Sequence, residues 1–244
     1  ELKLQKKGKV YYFDSFEYLR YFPENLQWNY CFGDINFMPD TPSIVKSRPI
    51  HNQSANAILL NLNKVRHFIF VKDKIPFEKK MDKVIFRGKV NEGKTKRIAF
   101  FNKYFGNPLY DLGDTSRNGN PAWRTSKKTI AEHLRYKFIL ALEGNDVASN
   151  LKWVMSSNSV AVMPRPEFET WFMEGRLIPN YHYIEIKPDF SDLEERIAAH
   201  PDEAIEISRH ANEYVSQFFD KKREKLISLL VLQKYFRKTG QLEQ

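Results

Sequence analysis

Three places along this chain put a charged side chain beside a glycine where a strand should end. At the first, Trp28-Asn29-Tyr30-Cys31-Phe32 reads as a strand and Gly33-Asp34 closes it. A carboxylate held at a strand end can take a proton from an attacking hydroxyl; a plain turn aspartate has the same local sequence. At the second, the run Val84-Ile85-Phe86 is followed by Arg87-Gly88. An arginine so placed suits a phosphate, because its planar fork of donors matches phosphate oxygens. It equally suits a salt bridge to a neighbouring helix. At the third, Phe138-Ile139-Leu140-Ala141-Leu142 is broken by Glu143-Gly144-Asn145-Asp146, and Val147, Leu151, Val154 and Met155 then recur at helical spacing. A helix starting at that turn presents free N–H groups and a partial positive charge to an anion. An ordinary strand-to-helix turn capped by Asn145 or Asp146 has the same signature.

The elements around these points must bring them to one side of a sheet. The spacing predicts a helix over 147–157, a strand over 159–163 ended by Pro164, a short aromatic helix over 167–174 and a strand over 182–186. Upstream, an amphipathic helix is expected over 92–105, with Arg97 in its early part, then a strand over 109–112, a Gly/Asn/Ser-rich loop over 113–125 and a helix over 126–136. Strands alternating with short helices imply an α/β fold with a parallel sheet, whose ligands sit outside the carboxyl ends of the strands.

The N-terminal part is less regular. Residues 3–9 form a charged leader, 11–21 an aromatic-dense helix, 43–45 a strand, and 52–63 a polar stretch centred on Ala57-Ile58-Leu59-Leu60. Residues 65–71 read as a strand, and the charged 72–83 connector is the expected boundary between halves. At the other end, Ser191 or Asp192 should cap a helix reaching about residue 199. Pro201 should open another through 219, with Asp202 and Glu203 in its first turn, and a basic helix is expected over 222–236. The organisation expected is therefore 1–83, 84–219 and a terminal helix in 220–244.

The 244 residues, 42% hydrophobic, can fill a real core. Aromatics at 14% suit clefts that stack on rings or sugars as well as plain packing. One cysteine, Cys31, excludes an intrachain disulfide and fits a reducing compartment. No stretch approaches the roughly 18 apolar residues that span a bilayer. The sequence begins at Glu1, so an upstream segment is expected. Net charge is +9, but Lys221, Lys222, Arg223, Lys225, Lys234, Arg237 and Lys238 stand against Glu224 alone, and that +6 leaves only +3 elsewhere. Charge confined to a tail argues against a nucleic-acid groove through the fold. It fits an amphipathic helix that meets an anionic membrane surface, or a solvated helix face.

Several chemistries are excluded by what is missing. The chain has no GxGxxG, P-loop, GxSxG or HExxH, and no D-x-D pair. Its six histidines (His51, His67, His133, His182, His200, His210) lack metal-ligand spacing. A nucleotide-sugar enzyme built this way would steady its diphosphate leaving group with Arg, Lys and helix N-termini in place of a metal.

The run Glu143-Gly144-Asn145-Asp146-Val147-Ala148-Ser149-Asn150-Leu151-Lys152-Trp153, with Glu169-Thr170-Trp171-Phe172-Met173-Glu174-Gly175 and Pro179-Asn180-Tyr181-His182-Tyr183, resembles glycosyltransferase family 90. Within it, the bacterial lipopolysaccharide-core branch is the nearest likeness, with the Rumi-type protein O-glucosyltransferases and capsule-associated xylosyltransferases as relatives. Phe32-Gly33-Asp34, Lys46-Ser47-Arg48-Pro49-Ile50 and Phe86-Arg87-Gly88 share in it, so it spans about 18–219. The resemblance implies a GT-B-like fold of Rossmann-type parallel sheets with a reduced N-terminal half on the acceptor side. It implies an inverting enzyme that moves a hexose from a UDP-sugar to a lipopolysaccharide-core or similar glycan acceptor, with no metal and no other cofactor. Position by position, Asp34 matches the catalytic aspartate, although Gly33 stands where the family has arginine. Arg87 with Gly88, and Arg97, match residues that meet the donor diphosphate. Asp146, Val147, Ala148, Ser149 and Asn150 match the loop and helix start around UDP. Asn150 or Lys152 stands where eukaryotic relatives carry an arginine. Donor selectivity is expected from side chains near Asn36, Trp123 and Glu169. A cytoplasmic protein peripheral to the inner membrane is expected, with no nucleic-acid partner. The rival readings are a glycan-binding module without catalysis and, from basic charge alone, a nucleic-acid-binding protein whose affinity would fall steeply with salt.

Overall fold

The computed structural model describes residues 9–51, 56–198 and 203–243. Its strands are β1 (Asn29–Cys31), β2 (Ser43–Val45), β3 (Ser47–Pro49), β4 (Ala57–Leu59), β5 (Met81–Gly88), β6 (Tyr110–Asp114), β7 (Tyr136–Leu140), β8 (Val160–Met163), β9 (Phe168–Thr170) and β10 (Ile184–Glu185). Its helices are α1 (Lys9–Leu19), α2 (Lys64–His67), α3 (Thr95–Tyr104), α4 (Ile130–His133), α5 (Leu151–Met155), α6 (Leu193–Ala198), α7 (Glu203–Ser216) and α8 (Lys221–Lys238). The expected leader over 3–8, the polar residues 52–55, and the Pro201 and Asp202 helix start lie outside the described residues.

β5, β6, β7, β8 and β10 form a five-stranded parallel sheet in the order β10-β8-β7-β5-β6. The α/β expectation thus holds, with a Rossmann-like arrangement. The chain enters at β5, moves outward to β6, then returns to the other side of β5 and continues outward. Strand order therefore reverses between β5 and β7, and the crevice at their carboxyl ends is the expected ligand position. Both faces are covered, which is why β8 and residues 138–140 of β7 read as unbroken apolar runs. One face packs Phe86, Leu140 and Val162 against Phe101 of α3 and Ile207 of α7. The other packs Ile85, Ile139 and Ala161 against Leu151 and Val154 of α5 and Val215 of α7.

A smaller parallel sheet, β1-β2-β4, carries the N-terminal residues. Its core joins Tyr18 of α1, Ile44 and Leu59 to Leu232, Tyr235 and Phe236 of α8, so the terminal helix is built into the N-terminal core. Trp171 Nε1 donates to Glu224 of α8 at 2.6 Å, fixing the same helix to the segment after β9. The two sheets meet at a seam, the antiparallel pair β3–β9, in which Ser47, Arg48 and Pro49 face Thr170, Glu169 and Phe168.

Several local expectations change. Residues 167–174 are not a helix: 168–170 pair with β3, a partner 121 positions away (Arg48 against Glu169) that local periodicity does not register. Residues 65–71 are not a strand: 64–67 form α2, whose first N–H is taken by Asp14 Oδ2 of α1 at 3.1 Å. The helix expected over 147–157 shrinks to α5, because 144–150 are held as a loop; Gly144 N donates to Asp146 O, and Asn150 Nδ2 to Leu140 O. The 126–136 helix reduces to α4, set by a Thr129/Glu132 capping box. The 182–186 strand keeps only β10.

Leu232→Ala should destabilise the whole protein by about 2–5 kcal/mol, since Leu232 is fully buried between α8 and the small sheet. Urea denaturation measures this. A loss below about 1 kcal/mol would mean that α8 is not part of that core.

Candidate functional site

The seam and the switch-point crevice adjoin, and the charged groups gather where they meet. Lys46 is the single residue between β2 and β3, where the chain leaves the small sheet to pair with β9. Its side chain is 1% exposed. The ammonium donates to Asp34 Oδ1 at 2.5 Å, lies 2.7 Å from Asp146 Oδ2, and has His67 Nε2 as a third neighbour at 3.4 Å. Ser47 Oγ donates to the same Asp146 oxygen at 2.7 Å, and Arg48 closes the seam by pairing with Glu169 at 2.7 Å. One short segment thus joins Asp34, after β1, to Asp146, after β7.

The two aspartates are pulled apart by their surroundings. Burial alone would push Asp34 up, but the hydrogen bond and charge of Lys46, then Arg66, outweigh it and hold Asp34 below its ordinary value. Burial dominates at Asp146, which is raised in spite of Lys46 and Ser47. The oxygens of Asp34 also differ. Oδ1 takes both Lys46 and Arg66, at 2.5 and 3.2 Å, whereas Oδ2 has only Asn145 Nδ2 at 3.5 Å. The side chain is 20% exposed. Asp34 therefore offers an ionised, partly open oxygen beside the crevice, the arrangement needed to receive a proton. Gly33 before it has φ 126°, a conformation unfavourable to any side chain, which accounts for glycine at this point.

Cations surround the carboxyl ends of β5 and β7. Arg97 of α3 donates to the carbonyls of Leu142, Glu143 and Lys89 at 2.7, 3.1 and 3.0 Å, stapling the two strand ends together. Glycines make room for it. A Cβ on Gly144 would stand 3.1 Å from Arg97 Nη2, and one on Gly88 would stand 2.7 Å from the Phe86 ring and 3.4 Å from Arg97 Nη1. Burial, then the charge of Arg66, lower Arg97 to about 10. Lys94, at the N-cap of α3, donates to Asn145 Oδ1 and is also lowered, by burial and by Arg97. Beside them a small cleft of about 30 Å³ is lined by Leu142, Glu143, Val147, Leu151, Pro164 and Arg165. Burial raises Glu143 to about 7 even though its Oε1 accepts the backbone N–H groups of Glu167 and Phe168.

Of the residues singled out from sequence, the structure brings together Asp34, Asp146, Gly88 and Arg97, with Val147 and Ala148 on the wall of the cleft. Ser149 is half-buried in the same loop. Arg87 turns away along the sheet to Asp111, and Asn150 is spent on the Leu140 carbonyl. Lys152 is fully buried and ion-paired with Glu174. Glu174 in turn accepts the Thr170 N–H at 2.6 Å and so anchors β9. Trp123 packs under Phe101, Glu169 serves the seam, and Asn36 is exposed two residues after Asp34. Sequence reasoning missed the roles of Lys46, Arg66, Lys94 and Asn145. The only signal for them was position: Lys46 precedes Ser47-Arg48, and Lys94 lies three residues before Arg97.

The sequence model of glycosyl transferase family 90 matches residues 59–238. The chain belongs to this family. It is 41% identical over 236 residues to the O-glucosyltransferase LpsA of Dichelobacter nodosus, an overlap of 95% of this chain and 74% of that protein. It is 26% identical over 153 residues to protein O-glucosyltransferase 1 of Rattus norvegicus and 24% identical over the same length to that of Homo sapiens, covering 57% of this chain and 38% of each relative.

Lys152→Met should cost about 3–5 kcal/mol by leaving Glu174 buried without its counter-charge. Lys152→Met with Glu174→Gln should recover part of that, as read by thermal or urea melts. Glu143 gives a pH test. With its pKa raised from 4.5 to about 7, the folded protein holds a proton there that the unfolded chain has lost, so this contribution to stability falls as pH rises across that window. Glu143→Gln should remove the loss, gaining on the wild type by up to about 3 kcal/mol between pH 5 and 8. Equal pH profiles for the two proteins would refute the assignment.

Proposed function

We propose that this protein is an inverting, metal-independent glycosyltransferase that moves a hexose from a UDP-sugar to a lipopolysaccharide-core or similar glycan acceptor. The observation that carries the reading is Asp34. One of its oxygens is loaded by Lys46 and Arg66, and the other is open beside a cationic crevice at the strand switch point. In the reaction the acceptor oxygen bonds to the anomeric carbon as the bond from that carbon to the diphosphate oxygen breaks. The hydroxyl proton passes to Asp34 Oδ2, and the bonding electrons leave with UDP. Lys94 and Arg66, beside the Arg97 staple, are the groups best placed to meet that developing charge, and interactions that strengthen with it raise the rate. Arg87 would have to release Asp111 to join them.

One further observation supports a finer part. The outer face of α8 exposes Leu226 and Leu230 between Arg223, Lys234 and Arg237, a pattern suited to an anionic membrane surface on the cytoplasmic side. No helix among the described residues is long and apolar enough to cross a membrane. The relatives' names as O-glucosyltransferases make glucose the first hexose to test.

Melting temperature with UDP, UDP-glucose, UDP-galactose and ADP, each with and without chelator, tests the donor site. A uridine ligand at about 100 times its Kd should stabilise by roughly 2.7 kcal/mol. The shift should survive chelation; its loss would put a metal in the site. Asp34→Asn should keep that shift while lowering transfer by about a hundredfold or more. UDP binding with no turnover in the wild type would favour a binding module over an enzyme.

A further inference from the structure

Three lysine side chains among those described are sealed from solvent, and one differs from the others. Lys80 pairs with Asp73, and Lys152 with Glu174, one carboxylate each. Lys46 has two carboxylates and a ring nitrogen, and one of those carboxylates is Asp34. A structural lysine needs one counter-charge; Lys46 answers two carboxylates, and they come from different sheets.

We propose that Lys46 is a positioning residue for transfer: by holding Asp34 Oδ1 and Asp146 Oδ2 on one nitrogen, it fixes the base against the loop that borders the donor crevice and leaves Asp34 Oδ2 to the acceptor hydroxyl. This rests on the reading of Asp34 as base. His67 agrees with it. Burial, then the charges of Lys152 and Lys46, hold the His67 imidazole down at about 2, so it is neutral. With Lys46 donating to Nε2, the imidazole proton sits on Nδ1, which is buried without a partner. His67 thus satisfies the third ammonium hydrogen and leaves a polar atom of its own unpaired. Arg66 cannot replace Lys46 as the orienting group, because its side chain is 50% exposed and reaches Asp34 from solvent. The groups that face Asp34 are Lys46 from the β2–β3 junction, Arg66 from α2, Asn145 and Asp146 from the loop after β7, and the charge of Lys94 from the start of α3. Among these, Lys46 is the buried cation that touches Asp34 and Asp146 together.

The comparison that isolates Lys46 is Asp146→Asn against Lys46→Met with Asp146→Asn. The double variant removes the ammonium together with a buried counter-charge, so the interior stays balanced and the fold is kept. Two readouts are taken: carbon NMR titration of the Asp34 carboxyl, assigned with Asp34→Asn, and the pH dependence of UDP release from UDP-glucose. In the double variant the Asp34 titration should rise by about one pH unit or more relative to Asp146→Asn. On the plateau, kcat should drop about tenfold while KM for UDP-glucose stays within about twofold. Identical titrations and rates in the two variants would overturn the proposal. So would a change confined to KM, which would make Lys46 a support of the donor loop alone. If Asp34→Asn releases UDP at the normal rate, the base reading itself fails. The titration then still decides whether Lys46 governs Asp34, and no shift there overturns the proposal on its own.

Discussion

A buried ammonium must have its charge answered on the spot, and the seam of this protein is arranged around that constraint. Lys46 sits where the chain passes from the small sheet to the β3–β9 pair, and its two carboxylate partners come from opposite sides of the molecule. The next two residues extend the clamp. Ser47 donates to Asp146, and Arg48 pairs with Glu169 and donates to the Ala57 carbonyl at 3.0 Å. Three consecutive residues therefore tie β1, β4, β9 and the loop after β7 to one another. Desolvated pairs of this kind add little net stability, but breaking one partner away is expensive, so the geometry they specify is hard to relax. Asp34 and the loop after β7, contributed by different sheets, are thereby held at a fixed separation.

The second constraint is the reversal of strand order between β5 and β7, which opens a crevice where two strand ends diverge. Their carbonyls lack continuing partners, and Arg97 supplies the donors. A side chain on Gly144 would crowd this guanidinium, and one on Gly88 would run into the Phe86 ring beneath it. The glycine beside each charged residue was the feature that drew attention in the sequence. At Gly144 it admits Arg97 and at Gly88 the Phe86 ring, with Arg87 itself directed to Asp111.

How much of this was legible follows the range of the interactions. The parallel sheet was readable because β8 and the last three residues of β7 are buried on both faces and are all apolar. The convergence of Asp34 with the 143–146 turn was reached through resemblance to a family, and no local pattern contains it. Errors of element type fall where a distant partner decides the outcome. Strand β9 exists because β3 pairs with it, and α2 exists because Asp14 of α1 receives its first N–H. The lysines show the same limit. Lys46, Lys94 and Lys152 look alike in sequence. The first answers two aspartates, the second reaches Asn145 at the rim of the crevice, and the third anchors β9 through Glu174. Composition reports how many cations a chain has, and only packing reports what each one faces.

That packing leaves the crevice with a definite sign. Lys46, Arg66, Lys94 and Arg97 stand against Asp34 and Asp146, a surplus of two positive charges before Glu143 is considered. Burial raises Glu143 to about 7, so at neutral pH it cancels only part of one charge. His67 adds nothing, being neutral. In a partly desolvated crevice an uncancelled surplus is costly until an anion arrives. The lowered values of Lys94 and Arg97 show that cost directly, because each is pushed down by burial and by a cationic neighbour. An entering diphosphate would relieve it, and would relieve it further as negative charge moves onto the departing phosphate oxygen. The same surplus acts on Asp34 in the opposite sense, keeping it ionised when the crevice is vacant. Under the proposed function, one charge distribution would thus prepare the base and favour the leaving group, with Lys46 between the two.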